Sequence, residues 1–397
     1  MAPSLKDHTT NLRRRGPNFA GDVQHHAPAS DQPVDSSLRV ILASTHAEWG
    51  GGEVYLTAIA KEFVNRGIDV TFLVGEGTVL HQHVSDAGYS VRTIRGRGRN
   101  PVELWRLRRW LSSTGPAVLH CNDSHALTSA GLAALGLKPI SVVAMRHTMF
   151  AIRSVAKYRR LSDRIICVSN AVADGCREQG ISDQWLRVVH SGIDVPEVDP
   201  SDVEKLRREL LPTDQHKLIV AVGNLLPVKG HQTLVQAAAH LKSSGVQAIT
   251  VIAGEGPERP ALEAQIESLD LRNEVRLLGF RTDANTLVAA ADVVAHPAIE
   301  EGLCLTVAAA MMLERPVVAS SAGGLSDVLG LDPRMEVDGP FALVVDPGDH
   351  QELATSLQTH LESPPDSESL CRARLFATDW FTTRRVVDST VAVYRGI

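Results

Sequence analysis

The sequence predicts an α/β protein made of two Rossmann-like, doubly wound domains that face each other across a cleft. Three observations carry this. Short runs of Val, Ile, Leu and Ala alternate with stretches of helical spacing over most of the 397 residues, the βα alternation of parallel sheets. The alternation starts after residue 37 and closes near Pro196; after the acidic stretch PEVDPSD it restarts at Lys217. Glycine-rich turns follow strand ends in both halves, where doubly wound sheets bind their ligands.

Residues 1–37 are polar, rich in Pro, Asp, Ser and His, and lack periodicity, so a disordered tail is expected. Its Arg13, Arg14 and Arg15 read as a solvated basic cluster. Residues 38–196 form the first expected domain. A buried strand over 38–44 (LRVILAS) is followed by Gly50, Gly51 and Gly52. Leu56, Ile59, Ala60, Phe63 and Val64 then fall at helical spacing up to Arg66 and Gly67. Further strands are expected over 69–74, 90–94, 117–120, 140–145, 164–169 and 188–190. The turn GGGEVY lacks the G-x-G-x-x-G spacing of a dinucleotide fingerprint. Ser169 reads as a helix N-cap.

Residues 197–375 form the second expected domain, with strands over 217–222, 248–253, 274–279, 292–296, 316–320 and 341–345. Between the last two pairs lies HPAIEEGLCLTVAAAMMLERPVVASSAGGLSD, residues 296–327. It reads as strand end, acidic glycine turn, helix over 303–313, strand and second glycine loop. The helix is apolar nearly all round and so buried. Its start offers free N–H groups and a positive dipole end, which suit a phosphate. Residues 376–397 are expected to form a C-terminal helix that packs back toward the first domain.

Charge divides the chain. Residues 38–195 carry 19 Lys/Arg against 13 Asp/Glu, and residues 196–397 carry 17 against 29. The two halves are thus suited to different partners. Between Arg92 and Arg109 there are seven arginines and one acid, Glu103, with Trp105 and Trp110 among them. This stretch, 92–109, and a second basic cluster at 153–160 are candidates for peripheral membrane contact. No nucleic-acid partner is expected. The five cysteines are scattered and form no C-x-x-C pair, so neither a disulfide framework nor a zinc site is suggested. No apolar run reaches the ~18 residues of a membrane span, and no secretory signal is expected.

Five motifs of the second half occur in order: VGNLLPVKGH (222–231), GEGPERPALE (254–263), VRLLGFRTD (275–283), ADVVAHPAIEEGLCL (291–305) and PVVASSAGGLSDV (316–328). The first half adds GGGE, VLHCND, MRHT, ICVSNAV and VVHSGIDV. Together they resemble the retaining family-4 glycosyltransferases of GT-B fold, over residues 38–397. The resemblance implies an acceptor-side first domain and a nucleotide-sugar second domain. It implies catalytic roles for His147, Lys229 and Glu301. Lys229 would meet the donor diphosphate and Glu301 the sugar hydroxyls. His147 would lie near sugar and phosphate, with Arg146 beside it. Donor binding would also involve Gly51 and Gly52, Asn224, a base pocket at Gly279, Phe280 and Arg281, and backbone N–H groups of Gly302, Leu303, Cys304 and Leu305.

The chemistry agrees with this. A nucleoside diphosphate leaving group needs charge stabilisation more than a base. A lysine, a histidine and a helix N-terminus are able to supply it. No Asp-x-Asp occurs in the sequence, so neither metal nor other cofactor is expected. The resemblance therefore implies a metal-independent retaining glycosyltransferase moving a sugar from a nucleotide diphosphate donor to a glycan or lipid-linked acceptor. Cell-surface polysaccharide biosynthesis is the implied setting, and cytoplasmic the expected location, with the inner membrane face a candidate. Two positions depart from the family pattern. The second glutamate of its E-x7-E motif is Ala309, and a diphosphate-binding arginine is Asn224. Those departures motivate a rival reading, a non-catalytic nucleotide-sugar or glycan-binding protein of the same fold. A nucleotide-sugar epimerase is a further rival.

Overall fold

The computed structural model describes residues 38–95 and 100–397. The polar tail expected over 1–37, its arginine cluster, and residues 96–99 of the basic stretch lie outside them. Two parallel sheets organise the chain. The first contains β1 (Arg39–Ser44), β2 (Asp69–Gly75), β3 (Ser90–Ile94), β4 (Ala117–Cys121), β5 (Ile140–Arg146), β6 (Arg164–Cys167) and β7 (Leu186–Val188), in the order β3-β2-β1-β4-β5-β6-β7. The second contains β8 (Lys217–Val222), β9 (Ala248–Ala253), β10 (Val275–Gly279), β11 (Val293–His296), β12 (Val317–Ser320) and β13 (Leu343–Val345), in the order β10-β9-β8-β11-β12-β13. This is the two-domain architecture the alternation predicts.

Helices cover both faces of each sheet, so the central strands such as β1, β8 and β9 are buried and largely apolar rather than alternating, while the edge strands β3, β7 and β10 carry exposed or half-buried polar residues. In β8, Leu218 and Val220 join one core cluster while Ile219 and Ala221 join another on the opposite face. Strand order reverses between β1 and β4 and again between β8 and β11. The loops after those strands are therefore where a ligand crevice opens.

Boundaries differ from expectation in places with local causes. The strand expected over 164–169 stops at Cys167, because the Ser169 hydroxyl caps helix Asn170–Glu178 by accepting from Val172 N at 3.1 Å. The strand expected over 188–190 lies at Leu186–Val188, which leaves His190 outside the sheet. The helix expected from residue 303 begins at Leu305, because Cys304 is held at φ +110°. The C-terminal segment is two helices, Ser367–Trp380 and Thr383–Arg395, broken at Phe381 and Thr382.

The chain crosses between the halves twice, and the crossings lie side by side. Ile193 N donates to Phe381 O at 2.9 Å, and Thr383 N donates to Ile193 O at 3.2 Å. Helix Thr383–Arg395 then packs on helix Gly51–Asn65 of the first half. Arg66 pairs with Asp388, and Tyr394 shares a 2.8 Å hydrogen bond with buried His120 Nδ1. Other bonds join the halves away from the crossings. Buried Asp327 Oδ2 accepts from Asn170 N at 2.8 Å and from His190 Nε2 at 2.7 Å, and Arg334 pairs with Asp174 at 2.7 Å. Among the described residues, no helix is long and apolar enough to cross a membrane.

Candidate active site

After β8 the chain makes a short turn, Pro227–Lys229, and Gly230 follows at φ +66°. A Cβ on Gly230 would lie 1.9 Å from Pro297 O, so only glycine permits this approach of the β8 loop to the β11 loop. The approach brings two predicted residues together, with Lys229 Nζ 2.5 Å from Glu301 Oε2. His296, to which the sequence motifs assign no role, places its Nε2 3.1 Å from the same carboxylate oxygen. Its position, a strand-end histidine five residues before Glu301, is the available signal.

All three groups are largely buried, and their charges hold one another in place. Burial disfavours the Glu301 carboxylate, but hydrogen bonding to His296 and the charge of Lys229 outweigh it, bringing its pKa down to about 2. Burial likewise opposes charge on Lys229, and Glu301 and Cys304 reverse that, so its pKa is raised. The His296 imidazole also lies above its usual range, because Cys304 and Glu301 outweigh burial. Two cations and one anion thus sit at the N-terminus of helix Leu305–Met312, adding to its dipole. Glu301 Oε1 accepts from Gly302 N at 3.1 Å.

The other half closes over this cluster. A Cβ on Gly302 would lie 2.0 Å from His147 O, so the β11 loop rests on the His147 backbone. The His147 ring reaches Asn122 Oδ1 through Nε2 at 2.8 Å, and Asn122 Nδ2 donates to Gly52 O at 3.1 Å. Asn122 thus ties the histidine to the glycine turn, where Gly51 begins helix Gly51–Asn65. Asn122 lies within the motif VLHCND, which by itself points to no role for it. Burial, opposed by Asp123 and aided by Arg146, lowers the His147 pKa to about 4. The free protein therefore carries a neutral His147 at pH 7, so the cationic contribution expected of it falls to Lys229 and His296.

The remaining predicted residues are more dispersed. The Arg146 guanidinium bonds the carbonyls of Thr148 and Phe150. Arg281 forms a fork with Asp283 at 2.7 and 2.5 Å, and Phe280 is exposed. Gly279 takes φ +75° beside Glu255. Asn224 is exposed on the β8 loop, and Ala309 is buried on helix Leu305–Met312. Leu303 is buried below the turn, while Cys304 is half-buried with Sγ 3.6 Å from His296 Nδ1. Among the described residues, His296, Glu301 and Cys304 are the group whose donor atoms, within 4.8 Å of one another, are close enough to hold a metal ion.

Residues 202–373 match the family model described as glycosyl transferases group 1, and residues 49–197 match that described as glycosyltransferase family 4. The chain belongs to the family-4 glycosyltransferases of GT-B fold. A 2-deoxystreptamine glucosyltransferase of Streptomyces kanamyceticus is 28% identical over 255 residues, 62% of this chain and 62% of that protein. The match therefore spans less than two thirds of that curated relative. A D-inositol 3-phosphate glycosyltransferase of Mycobacterium bovis is 24% identical over 435 residues, 96% of this chain and 87% of that protein. The crystal structure of Anabaena HepE in complex with UDP and glucose has a TM-score of 0.78 at 22% identity, covering 91% of this chain and 100% of that one. That likeness speaks to the fold. In this family-4 member, three residues of the site follow strands at their sheets' switch points, Asn122 after β4, Lys229 after β8 and Glu301 after β11, while His296 ends β11 and His147 follows β5.

Proposed function

We propose that this chain is a retaining glycosyltransferase that moves a sugar from a nucleoside diphosphate donor to a glycan or lipid-linked acceptor in cell-surface polysaccharide biosynthesis. One observation carries the reading: Lys229, Glu301 and His296 converge at the N-terminus of helix Leu305–Met312, beneath the His147 backbone of the other half. In this reading the diphosphate lies on the helix N-terminus, with Lys229 and His296 neutralising the charge that develops as it departs. Glu301 accepts hydrogen bonds from the donor sugar's hydroxyls. Asn122 holds the His147 ring against the opposite side. Closure of the halves excludes water, so that the sugar passes to an acceptor hydroxyl. No step of this scheme calls on a metal.

UDP is the first nucleotide to try, because the neighbouring Anabaena protein was solved with UDP-glucose. Relatives named for 2-deoxystreptamine and D-inositol 3-phosphate bring small polyhydroxylated acceptors into the screen beside lipid-linked ones. The test is a donor and acceptor screen read by product mass, with the anomeric configuration assigned by NMR. An inverted product would end the retaining reading. Ala309 and Asn224 favour the rival of a nucleotide-sugar-binding protein without turnover. Donor binding by calorimetry with no product for any acceptor would select it.

We further propose peripheral docking of the first half on an anionic membrane surface, at the cytoplasmic inner face. Trp105 and Val102 of helix Pro101–Thr114 are exposed, and Arg109 stacks on Trp105 at 5.5 Å. The basic residues are not all available for this. Arg106 bonds Thr93 O at 2.6 Å, Arg108 bonds Leu135 O at 2.7 Å, and Lys157 bonds Ser124 O at 3.0 Å. Co-sedimentation with anionic but not neutral vesicles, lost in Trp105→Ala, is the expected result.

A further inference from the structure

We propose that Cys304, His296 and Glu301 form a binding site for a soft divalent cation, zinc above all, that competes with the nucleotide-sugar donor. Cys304 stands at φ +110° and ψ +91°, a backbone that side chains rarely adopt and glycine adopts freely. The thiol at this position stands with Sγ 3.6 Å from His296 Nδ1. In a tetrahedral zinc site with Zn–S of ~2.3 Å and Zn–N of ~2.0–2.1 Å, sulfur and nitrogen lie roughly 3.5 Å apart. The thiol and imidazole therefore stand at the separation zinc would impose on them.

Glu301 completes the group. One donor atom from each of the three residues lies within 4.8 Å of the others. To serve as ligand, the carboxylate turns away from His296 Nε2 and Lys229, its partners at 3.1 and 2.5 Å. Cys304 gives up its thiol proton and the cationic His296 its Nδ1 proton, both to solvent, so that the imidazole offers the Nδ1 lone pair while keeping a proton on Nε2. Thiolate, imidazole and one carboxylate select zinc over magnesium or calcium, which favour all-oxygen sites. A fourth position remains for water.

The consequence for the donor follows from which contacts are lost. Zinc takes Glu301 away from Lys229 and from sugar hydroxyls, and it sits at the helix start where the diphosphate would lie. This competition rests on the donor-pocket reading above; the metal site itself does not.

Cobalt(II) reads the site directly, because its thiolate complexes show a near-ultraviolet charge-transfer band. Titrating the nucleotide-free protein should give that band at one equivalent, and zinc should bleach it. Cys304→Ser should abolish the band and weaken zinc binding by at least the ~10–100-fold lost on removing a metal ligand's supporting partner. Cys371→Ser, which removes the exposed thiol, should keep the band. Circular dichroism would verify that both variants fold, and Cys304→Ala supplies a second test at the same position. No band in the wild type, or a band surviving in both Cys304 variants, overturns the site. UDP should displace the cobalt. A band unmoved by UDP, in protein that binds UDP by calorimetry, would overturn the competition and leave the site standing. Protein that binds cobalt at Cys304 but no nucleotide would overturn the donor-pocket reading instead.

Discussion

His190 Nε2 and Asp327 Oδ2 meet at 2.7 Å across the boundary between the two halves, and the same oxygen accepts from Asn170 N at 2.8 Å. Asp327 is fully buried. Removing its carboxylate strands two donors at once. Asp327→Ala should cost on the order of 3 kcal/mol of stability, as breaking buried pairs does. Asp327→Asn keeps an acceptor for the backbone N–H and should cost less. Calorimetric unfolding of the three proteins checks the order.

Lys229→Ala should lower kcat/KM by roughly 10- to 150-fold, the kinetic equivalent of a lost charge-assisted hydrogen bond of ~1.5–3 kcal/mol. Glu301→Ala should lower it comparably. Because the two side chains are paired at 2.5 Å, the double variant should lose less than the product of the single effects. Strict multiplicativity would argue that the pair does not act as a unit.

Gly302→Ala places a Cβ 2.0 Å from His147 O. No rotamer relieves a clash with backbone, so the halves must separate there. The expected outcome is a larger radius of gyration by small-angle scattering, with transfer activity down by roughly a hundredfold, the scale of a ~1 Å misplacement. Unchanged scattering and activity would show that the contact is dispensable.

Asn122→Ala removes the 2.8 Å partner of His147 and the bond to Gly52 O. It should reduce kcat more than it raises the donor KM, because the ring is left unoriented while the diphosphate site is intact. Asn122→Asp would place a carboxylate beside the ring, raise the His147 pKa from about 4, and bring a histidine-like ionisation into the pH–rate profile.

Acid should destabilise the protein through His120. Burial first, with a contribution from His147, pushes its pKa down to about 3. The unfolded imidazole takes a proton near pH ~6.5, well before the folded one. Stability is therefore full above that pH and falls as pH drops from about 6.5 toward 3, by about 2 kcal/mol at pH 5. His120→Gln preserves a hydrogen-bonding group for Tyr394 and should flatten this slope in denaturant melts at pH 7 and pH 5.

The fold was legible because both faces of each sheet are covered. That produces unbroken apolar runs such as KLIVAV and AITVIA, and these match β8 and β9 residue for residue. Lys229 and Glu301 were legible as motif positions, but their meeting depends on the Gly230–Pro297 approach, which no linear spacing encodes. His296 was read as a strand end because strand periodicity says nothing about the atoms beyond the strand. Asn122 and Asp327 escaped for a different reason. Each works through a partner at least 25 residues away, His147 for one and Asn170 and His190 for the other. The strain at Cys304 is a backbone property, hidden inside a stretch that reads as helix.

The paired crossings have a mechanical consequence. A single linker would leave two bodies free to swivel in any direction. Here two lengths of chain pass between the halves, laced together at Ile193, Phe381 and Thr383. Two adjacent pins favour one hinge line, so once the Asp327 and Arg334 contacts release, the halves should open as a door does, in a swing along one arc. Every opening must then retrace the path by which Gly302 reaches His147, and the reacting groups return to register without searching for it.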